Sequence, residues 1–256
     1  MIDTHSHYLF GVDDGAEDIE MSMVMIRMAI DEGITGAVVT PHYYLPKYDN
    51  LNVQKHFDLL KARLAEEAVA FDLYLGNELH LDEEGVTDYL NGEVNALNQS
   101  AYLLVELPFQ RMYPFHLDLI HQLQVSGSEI ILAHVDRYRY LCENLDLLED
   151  LRNRGVFFQM NAKSLTDRST KKIALKLIQR GYVDIVATDT HRSNKRPPKM
   201  AEAYGVVAKK YGQAYARGLF VENPKAVIEN RAIISGRPVL QKGGWMAKLN
   251  LGKFKR

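Results

Sequence analysis

The sequence predicts an α/β protein with parallel strands, for which a closed or nearly closed barrel fits as well as an open doubly wound sheet. Three observations lead to this prediction. Short apolar runs rich in β-branched residues alternate with amphipathic stretches along most of the chain, a pattern that joins parallel strands through right-handed crossovers. The chain has 256 residues, a length at which barrels occur as single domains. No G-x-G-x-x-G pattern follows the first strand, which disfavours a dinucleotide-binding sheet.

Seven strands are expected, in chain order. The first begins at Ile2-Asp3, and the others cover residues 34–40, 71–77, 101–106, 129–134, 155–160 and 183–188. Helical patterns occupy residues 18–32, 52–69, 115–126, 145–154 and 169–180. Apolar residues recur at helical spacing in these segments, and Gly33, Gly155 and Gly181 stand where three of the helices should end.

The pattern changes from Pro197 onward. A helical stretch runs to about residue 216, and a short helix starts at Asn223-Pro224, where Asn suits the cap and Pro the first helical position. No linker divides the sequence, so we expect a single domain over residues 1–240. Residues 241–256 form a basic tail, with five Lys or Arg residues from Lys242 onward, which we expect to be solvated.

Composition excludes several classes of protein. Apolar residues make up 46% and charged residues 25% of the chain, as in ordinary globular proteins. The net charge of -2 argues against non-specific nucleic-acid binding and a nuclease role. One cysteine excludes a disulfide framework and a cysteine-built zinc site. The chain shows no leader pattern and no apolar run of about 18 residues, so we expect a cytoplasmic protein without a membrane span.

Potential metal ligands follow nearly every predicted strand. They are His5, His7 and Asp13 or Asp14 after the first strand, His42 after the second, Glu78 after the third, Glu106 after the fourth, His134 after the fifth, and Asp189 and His191 after the seventh. Only the sixth strand lacks an obvious ligand and offers Asn161. Because the carboxyl ends of parallel strands meet at one edge, these side chains should converge. Imidazoles with carboxylates suit zinc, manganese or iron, and so many ligands imply two or three ions, which Glu78 or Glu106 could bridge.

Four other histidines stand alone in the sequence. We expect His56, His80, His116 and His121 to be ordinary surface or helix residues. The single cysteine, Cys142, has Leu148 at the sixth position after it, so a cysteine phosphatase loop is excluded. We expect Cys142 to be a small buried hydrophobic residue.

Clustered divalent ions favour hydrolysis of a phosphate ester by metal-bound hydroxide. The phosphoryl group also needs positive donors, and an arginine can bind it through two parallel hydrogen bonds. Arg137, Arg139 and Arg192 follow the predicted ligands closely and are the candidates for substrate binding. Arg111, in the loop after the fourth strand, is a weaker one.

The ordered motifs resemble the PHP (polymerase and histidinol phosphatase) superfamily. The motifs are Met1-Ile-Asp-Thr-His-Ser-His7, Val12-Asp-Asp-Gly-Ala16, Thr40-Pro-His42, Gly76-Asn-Glu78, Glu106-Leu-Pro108, Ala133-His-Val-Asp-Arg-Tyr138 and Thr188-Asp-Thr-His191. The resemblance runs from residue 1 to about 235. It is greatest to the bacterial PHP-type protein-tyrosine phosphatases of capsule and exopolysaccharide gene clusters.

The resemblance implies a distorted (β/α)7 TIM-like barrel with two or three metal ions, usually manganese, although iron or zinc is compatible. It implies the ligands His5, His7, Asp14, His42, Glu78, Glu106, His134, Asp189 and His191. Arg137 would bind phosphate and assist catalysis, and His42 or His191 would protonate the leaving oxygen. The implied substrate is the tyrosine-phosphorylated tail of an autokinase that controls polysaccharide export. Val135-Asp136 and Thr190 with Arg192 depart from the family pattern without touching the ligands.

Other functions are compatible with parts of the pattern. The same metals would serve a histidinol phosphatase or another small-molecule phosphomonoesterase. A peptide substrate would need an open groove, which the loops 43–44 and 111–113 could line. An amidohydrolase also opens with His-x-His, but Asn161 after the sixth strand counts against it. A non-catalytic scaffold would not need so many open-site ligands.

Overall fold

The structure is a computed structural model of the chain, and it describes residues 1–236. The predicted basic tail, residues 241–256, lies outside the described residues. Among the residues described, no helix is both long enough and apolar enough to cross a membrane.

Parallel strands form the wall of the protein. They are β1 (Ile2–Ser6), β2 (Gly36–Val39), β3 (His42–Tyr43), β4 (Asp72–Leu75), β5 (Glu78–His80), β6 (Tyr102–Glu106), β7 (Glu129–Leu132), β8 (Phe157–Asn161) and β9 (Ile185–Ala187). They pair in two parallel sheets, in the orders β1-β2-β4 and β3-β5-β6-β7-β8-β9. All seven predicted strands are present.

Two of the predicted strands are followed by an extra short strand that the sequence did not indicate. The chain bends at Pro41 and again at Gly76-Asn77, and β3 and β5 then pair with each other in the second sheet. Gly76 is required at its bend, because a Cβ there would lie 2.7 Å from the Leu97 side chain. These bends curl the wall and pass the chain from one sheet to the other.

The curled wall closes where the segment after β9 meets β1. Ser6 and Thr190 form a parallel bridge, and the backbone N–H of His7 donates to the carbonyl oxygen of Thr190 at 2.9 Å. The Asp189 N–H donates to the His5 carbonyl oxygen at the same distance, 2.9 Å. The predicted distorted parallel barrel is therefore confirmed, and the open doubly wound sheet is not.

Helices cover the outside of the wall. They are α1 (Ile19–Asp31), α2 (Val53–Glu66), α3 (Glu83–Leu90), α4 (Pro114–Val125), α5 (Arg139–Glu143), α6 (Leu145–Asn153), α7 (Lys171–Arg180), α8 (Ala201–Tyr211), α9 (Gln213–Arg217) and α10 (Asn223–Ile228). Helices α3 and α5 were not predicted, because they are short and bury few apolar residues. The helix predicted from residue 197 to 216 is divided into α8 and α9 at Gly212, whose φ is +95°.

The apolar core lies between the strands and the helices and inside the barrel. Its largest fully buried side chains include Tyr8, Tyr138, Phe158 and Phe220. Cys142 is also buried, as predicted. The buried polar residues concentrate instead at the carboxyl ends of the strands, and this end holds the candidate site.

Candidate metal centre

The nine side chains predicted as ligands meet at the carboxyl end of the barrel. His5 lies in β1, and His7 follows two positions later on the same side. The strands bring the others to this edge, which are Asp14, His42, Glu78, Glu106, His134, Asp189 and His191. His5, His7, Glu78, His134 and Asp189 are at most 1% exposed. Buried titratable groups at this density need counter-charges or metal ions.

Glu78 occupies the middle of the cluster. Its Oε2 lies 3.1 Å from His5 Nε2, 3.4 Å from His7 Nε2 and 3.0 Å from His42 Nδ1. Its Oε1 lies 2.8 Å from His134 Nε2. Yet Glu78 Oε2 is buried and has no hydrogen-bond partner within residues 1–236. A buried carboxylate oxygen that faces three imidazoles without a hydrogen bond fits a ligand shared between metal ions.

The candidate ligands form three overlapping groups, and within each group all the ligand atoms lie within 4.8 Å of one another. The first contains His5, His7 and Asp189, the second His42, Glu78 and Glu106, and the third His7, Asp14, His42 and His191. His134 belongs to none of these groups, but its Nε2 contacts Glu78 and also Glu106, at 3.2 Å. The donors are nitrogen and carboxylate oxygen without thiolate, so the residues present fit two or three hard or borderline divalent ions.

The charges of the cluster support the same fit. Burial would lower the pKa of His7, but Asp13 and Glu78 outweigh burial and raise this pKa to about 9. The pKa of His134 is also raised to about 9, because carboxylates again outweigh burial. The carboxylates thus draw positive charge into the centre, and divalent cations would supply that charge while leaving the imidazoles neutral and able to ligate.

The structure distinguishes Asp14 from Asp13. Asp14 Oδ1 lies 3.4 Å from His42 Nε2 and 3.5 Å from His191 Nε2, inside the cluster. Asp13 lies behind it: its Oδ2 is 2.6 Å from His7 Nδ1 and accepts the His42 N–H at 3.1 Å. Asp13 is therefore placed to orient His7, whereas Asp14 faces the other ligands.

Two ligand candidates, His134 and Asp189, have left-handed backbone conformations with φ of 33° and 53°. Such conformations in non-glycine residues cost free energy and persist only where the surroundings hold them. Gln159 accepts the His134 N–H at 2.6 Å and contacts His5 Nδ1 at 3.0 Å. Asn161 donates to Asp189 at 2.8 Å. Asn161, to which the sequence analysis gave no role, thus holds the side chain of Asp189 in place. Gln159 was not predicted to contact the site, because a glutamine within a strand belongs to no recognisable motif.

Only one of the three predicted arginines reaches the open face of the cluster. A cavity of about 300 Å³ lies above the ligands, and Arg137 lines it. Arg137 Nη1 is 3.4 Å from Asp189 Oδ2, and the guanidinium lies 4.4 Å from the centre of the Phe109 ring. Arg139 begins α5, is 86% exposed and pairs with Glu143. Arg192 pairs with Glu17 at the rim, so neither of the latter two lines the cavity.

The sequence analysis missed two cations that line the cavity, Lys47 and Arg196. Arg196 contacts the ligand candidates: its Nη1 is 3.2 Å from His191 Nε2, and Nη2 pairs with Asp189. The turn after His191 doubles back, with an antiparallel bridge between Arg192 and Arg196. That turn brings a residue five positions beyond His191 onto the ligands. The sequence offered no signal except the basic character of this loop.

Aromatic rings border the same cavity. Tyr44 and Phe109 are 43% and 39% exposed and line it together with Tyr48. Of the loops expected to form a peptide groove, only Tyr44 contributes, since Tyr43 is buried and bonded to Asp88. The loop 111–113 stays outside the cavity lining, where Arg111 stacks on Tyr113.

Three of the four isolated histidines lie outside the centre. His56 bonds to the Phe10 carbonyl oxygen, His116 caps its own helix beside Tyr113, and His121 is exposed on α4. His80 differs, because it lines the cavity with Nδ1 3.6 Å from Glu106 Oε2. The metal-binding groups do not include it, but its place beside a ligand was not expected.

Comparison with known proteins agrees with this geometry. Residues 1–229 match the family described as "Capsular polysaccharide synthesis, CpsB/CapC". The tyrosine-protein phosphatase CpsB of Streptococcus pneumoniae is 31% identical over 244 residues, covering 91% of this chain and all of that protein. The tyrosine-protein phosphatase YwqE of Bacillus subtilis is 30% identical over 243 residues, covering 93% of this chain and 95% of YwqE.

Solved structures give the same result. A structure from the work on YwqE of B. subtilis and CpsB of S. pneumoniae, described as "unique metal-dependent tyrosine phosphatases", matches with a TM-score of 0.88 at 30% identity, covering 94% of this chain and 100% of that one. The histidinol phosphate phosphatase of Lactococcus lactis matches with a TM-score of 0.54 at 14% identity, covering 86% and 94%, and shares the fold alone. The chain belongs to the CpsB/CapC family of capsular polysaccharide synthesis.

Proposed function

We propose that the protein is a metal-dependent protein-tyrosine phosphatase that acts in the cytoplasm on the tyrosine-phosphorylated tail of a polysaccharide-export autokinase. The observation that carries this proposal is the buried Glu78 carboxylate among imidazoles, beneath a cavity that presents Arg137 and Arg196. Relatives that cover nearly the whole chain are named tyrosine-protein phosphatases. The protein substrate and the cellular location are inferred for this chain from its similarity to these relatives.

We assign manganese, as two or three ions, from the resemblance to the PHP-type tyrosine phosphatases, and the carboxylate and imidazole ligands are compatible with it. His5, His7, Asp14, His42, Glu78, Glu106, His134, Asp189 and His191 would hold them. When bound, such ions supply an activated water as nucleophile and neutralise charge on the phosphoryl oxygens. Iron or zinc fits the same donors, and metal analysis of the purified protein distinguishes these two metals from manganese.

The protein's own residues bind and orient the phosphoryl group. Arg137 is 40% exposed in its side chain, so it can exchange its long contact with Asp189 for phosphoryl oxygens. Arg196 holds Asp189 and lies beside His191. His42 and His191 both line the cavity, and whichever of them does not hold an ion can deliver a proton to the leaving phenolate oxygen.

The aromatic border favours a tyrosyl substrate over a small aliphatic phosphoester. Tyr44 and Phe109 present ring surface at the mouth of the cavity, and Phe109 already stacks with Arg137. The phenyl ring of phosphotyrosine is bonded directly to the ester oxygen, so it would lie against these rings and gain ring-stacking contact. The imidazole of histidinol phosphate is separated from its ester oxygen by three carbons, so it would not lie at the same place when its phosphate is bound. Histidinol phosphatase activity is therefore the second candidate and serves as the comparison in the test.

The test measures manganese-dependent hydrolysis of a phosphotyrosyl peptide, with histidinol phosphate in parallel. Chelator treatment and His5→Ala should each abolish turnover, and His5→Ala should also lower the bound metal. We expect higher kcat/KM on the peptide. Faster turnover of histidinol phosphate would overturn the protein substrate, and full turnover and metal content in His5→Ala would overturn the metal centre.

A further inference from the structure

A second, larger cavity adjoins the catalytic cavity and has no role in the proposed reaction. Its volume is about 580 Å³, against about 300 Å³ for the catalytic cavity. Arg196 lines both cavities, so the two are neighbours that share this residue. Asn161, which donates to Asp189, also lines the larger cavity. A ligand that fills it would therefore contact residues that hold a metal-ligand candidate.

Positive charge dominates the lining of this larger cavity. It contains four cations, Lys163, Lys195, Arg196 and Lys199, and two carboxylates, Glu32 and Glu202. Lys199 is neutralised by Glu32 at 2.7 Å, and Arg196 is committed to Asp189. Lys163 and Lys195 are exposed and form no ion pair with the residues described, 1–236, although the charge of Lys163 adds to the hydrogen bonds from Ser169 in lowering the pKa of Asp167. Glu202 offsets part of this positive charge. The two lysines still leave the lining with a net positive charge that can attract an anion.

The rest of the lining is apolar or uncharged. Pro197, Ala201 and Ala203 contribute apolar surface, and Thr166 and Thr188 contribute hydroxyl groups. A volume of this size accommodates a small organic group. The chemistry therefore suits an anion carried on an apolar stem, such as an acidic or phosphorylated amino-acid side chain.

We propose that the larger cavity is a binding subsite for a second anionic side chain of the phosphotyrosyl substrate, held by Lys163 and Lys195. The shared wall at Arg196 places this subsite beside the catalytic cavity, so neighbouring residues of one peptide can occupy both. The subsite selects substrates whose phosphotyrosine has an acidic residue or a second phosphotyrosine nearby. This inference rests on the proposed phosphatase function and adds its sequence preference.

The test compares three peptides that differ only at positions flanking one phosphotyrosine: neutral residues, glutamates, or a second phosphotyrosine. In the manganese-loaded protein, the added anion should lower KM by about tenfold, equivalent to one favourable charged contact. The glutamate and phosphotyrosine peptides tell whether a carboxylate suffices or a phosphoryl group is required. A gain with either supports the subsite, and equal KM values for all three peptides overturn it.

Two double variants test whether the KM advantage of the anionic peptides arises in the larger cavity. The double variant Lys163→Ala/Lys195→Ala should lose the KM advantage of the anionic peptides over the neutral peptide. The control Lys55→Ala/Lys209→Ala removes the same charge from exposed positions outside both cavities and should retain the advantage. Equal loss in both variants would overturn the subsite in favour of a general charge effect. Hydrolysis of 4-nitrophenyl phosphate tests the phosphatase separately, because failure there refutes the proposed function itself.

Discussion

Glu78 owes its central position to a rigid turn immediately before it. Asn77 donates to the Pro41 carbonyl oxygen at 3.0 Å and accepts the Asn95 N–H at 2.8 Å. Glu78 then begins β5, with its carboxylate directed among the imidazoles. A ligand held in place by its own backbone turn loses little conformational freedom when metal binds, which favours affinity.

The two adjacent aspartates should respond differently to substitution. Asp14→Asn is expected to lower the number of bound ions, because Asp14 faces His42 and His191. Asp13→Asn should keep the number of ions but weaken metal affinity by about 10- to 100-fold, since Asp13 orients His7 and the backbone of His42 from behind the ligands. Metal analysis after dialysis, together with metal titrations, measures both effects. Wild-type metal content in Asp14→Asn would contradict its assignment as a ligand.

Arg137 and Arg139 form a matched pair for testing phosphate binding. Arg137→Ala should lower kcat/KM by about 100-fold or more, because a charged donor to the transferring group is lost, while the metal content stays unchanged. Arg139→Ala removes an exposed arginine that pairs with Glu143 and should leave kcat/KM near the wild-type value. Equal losses in the two variants would show that the position of Arg137 in the cavity has no special importance.

The ligand candidates could be predicted from the sequence because most of them follow a predicted strand closely, and parallel strands bring their carboxyl ends together. The choice between Asp13 and Asp14 could not, since both follow the same strand. Arg139 was expected beside the phosphate, but the short turn Val135–Arg137 ends before it and α5 carries it outward. Arg196 reached the site through a loop that doubles back, which no periodicity reveals.

At the scale of elements, the long, regular helices and strands were predictable and the interruptions were not. Apolar periodicity indicated α1, α2, α4 and α7, because each buries one face. The extra strands β3 and β5 contain two and three residues. Segments this short carry no recognisable alternation, although they supply His42 and Glu78 to the centre. The least predictable elements therefore hold two central ligand candidates.

An ion pair below the site ties four segments together and should contribute strongly to stability. Asp184 is fully buried, accepts the Phe158 N–H at 2.7 Å and Ser235 Oγ at 2.6 Å, and pairs with Arg152 at 2.8 Å. Arg152→Ala would leave the Asp184 carboxylate buried without its counter-charge. We expect the free energy of unfolding to fall by about 3 kcal/mol, measured by urea denaturation.

Arg154 provides the control for this pair. It lies two residues further along and forms a pair with Asp150 in which both side chains are nearly half exposed. Arg154→Ala should change the free energy of unfolding by less than about 1 kcal/mol. A similar loss in both variants would mean that burial of Asp184 does not determine the effect.

At the scale of the whole molecule, the contacts that close the barrel also bring together ligand candidates from the two ends of the chain. The hydrogen bonds that join β1 to the segment after β9 involve the backbones of His5, His7 and Asp189. His5 and His7 are the first two ligand candidates along the chain, and Asp189 is the last but one. Metal binding should therefore stabilise the closed barrel, because the ions would link the same two segments through their side chains.

The described residues contain the whole candidate site, and this suggests a minimal active chain. A protein ended after residue 240 should keep its unfolding midpoint and retain kcat/KM within about twofold of the wild type, because all nine ligand candidates and both cavity arginines lie within residues 1–236. A protein ended after residue 229 loses Ser235, which bonds to Asp184, and Ile233, which packs in the core. That shorter chain should unfold at lower urea concentration. If the 240-residue chain folds normally but loses turnover, the basic tail contributes to catalysis and the assignment of a self-sufficient domain to residues 1–240 is wrong.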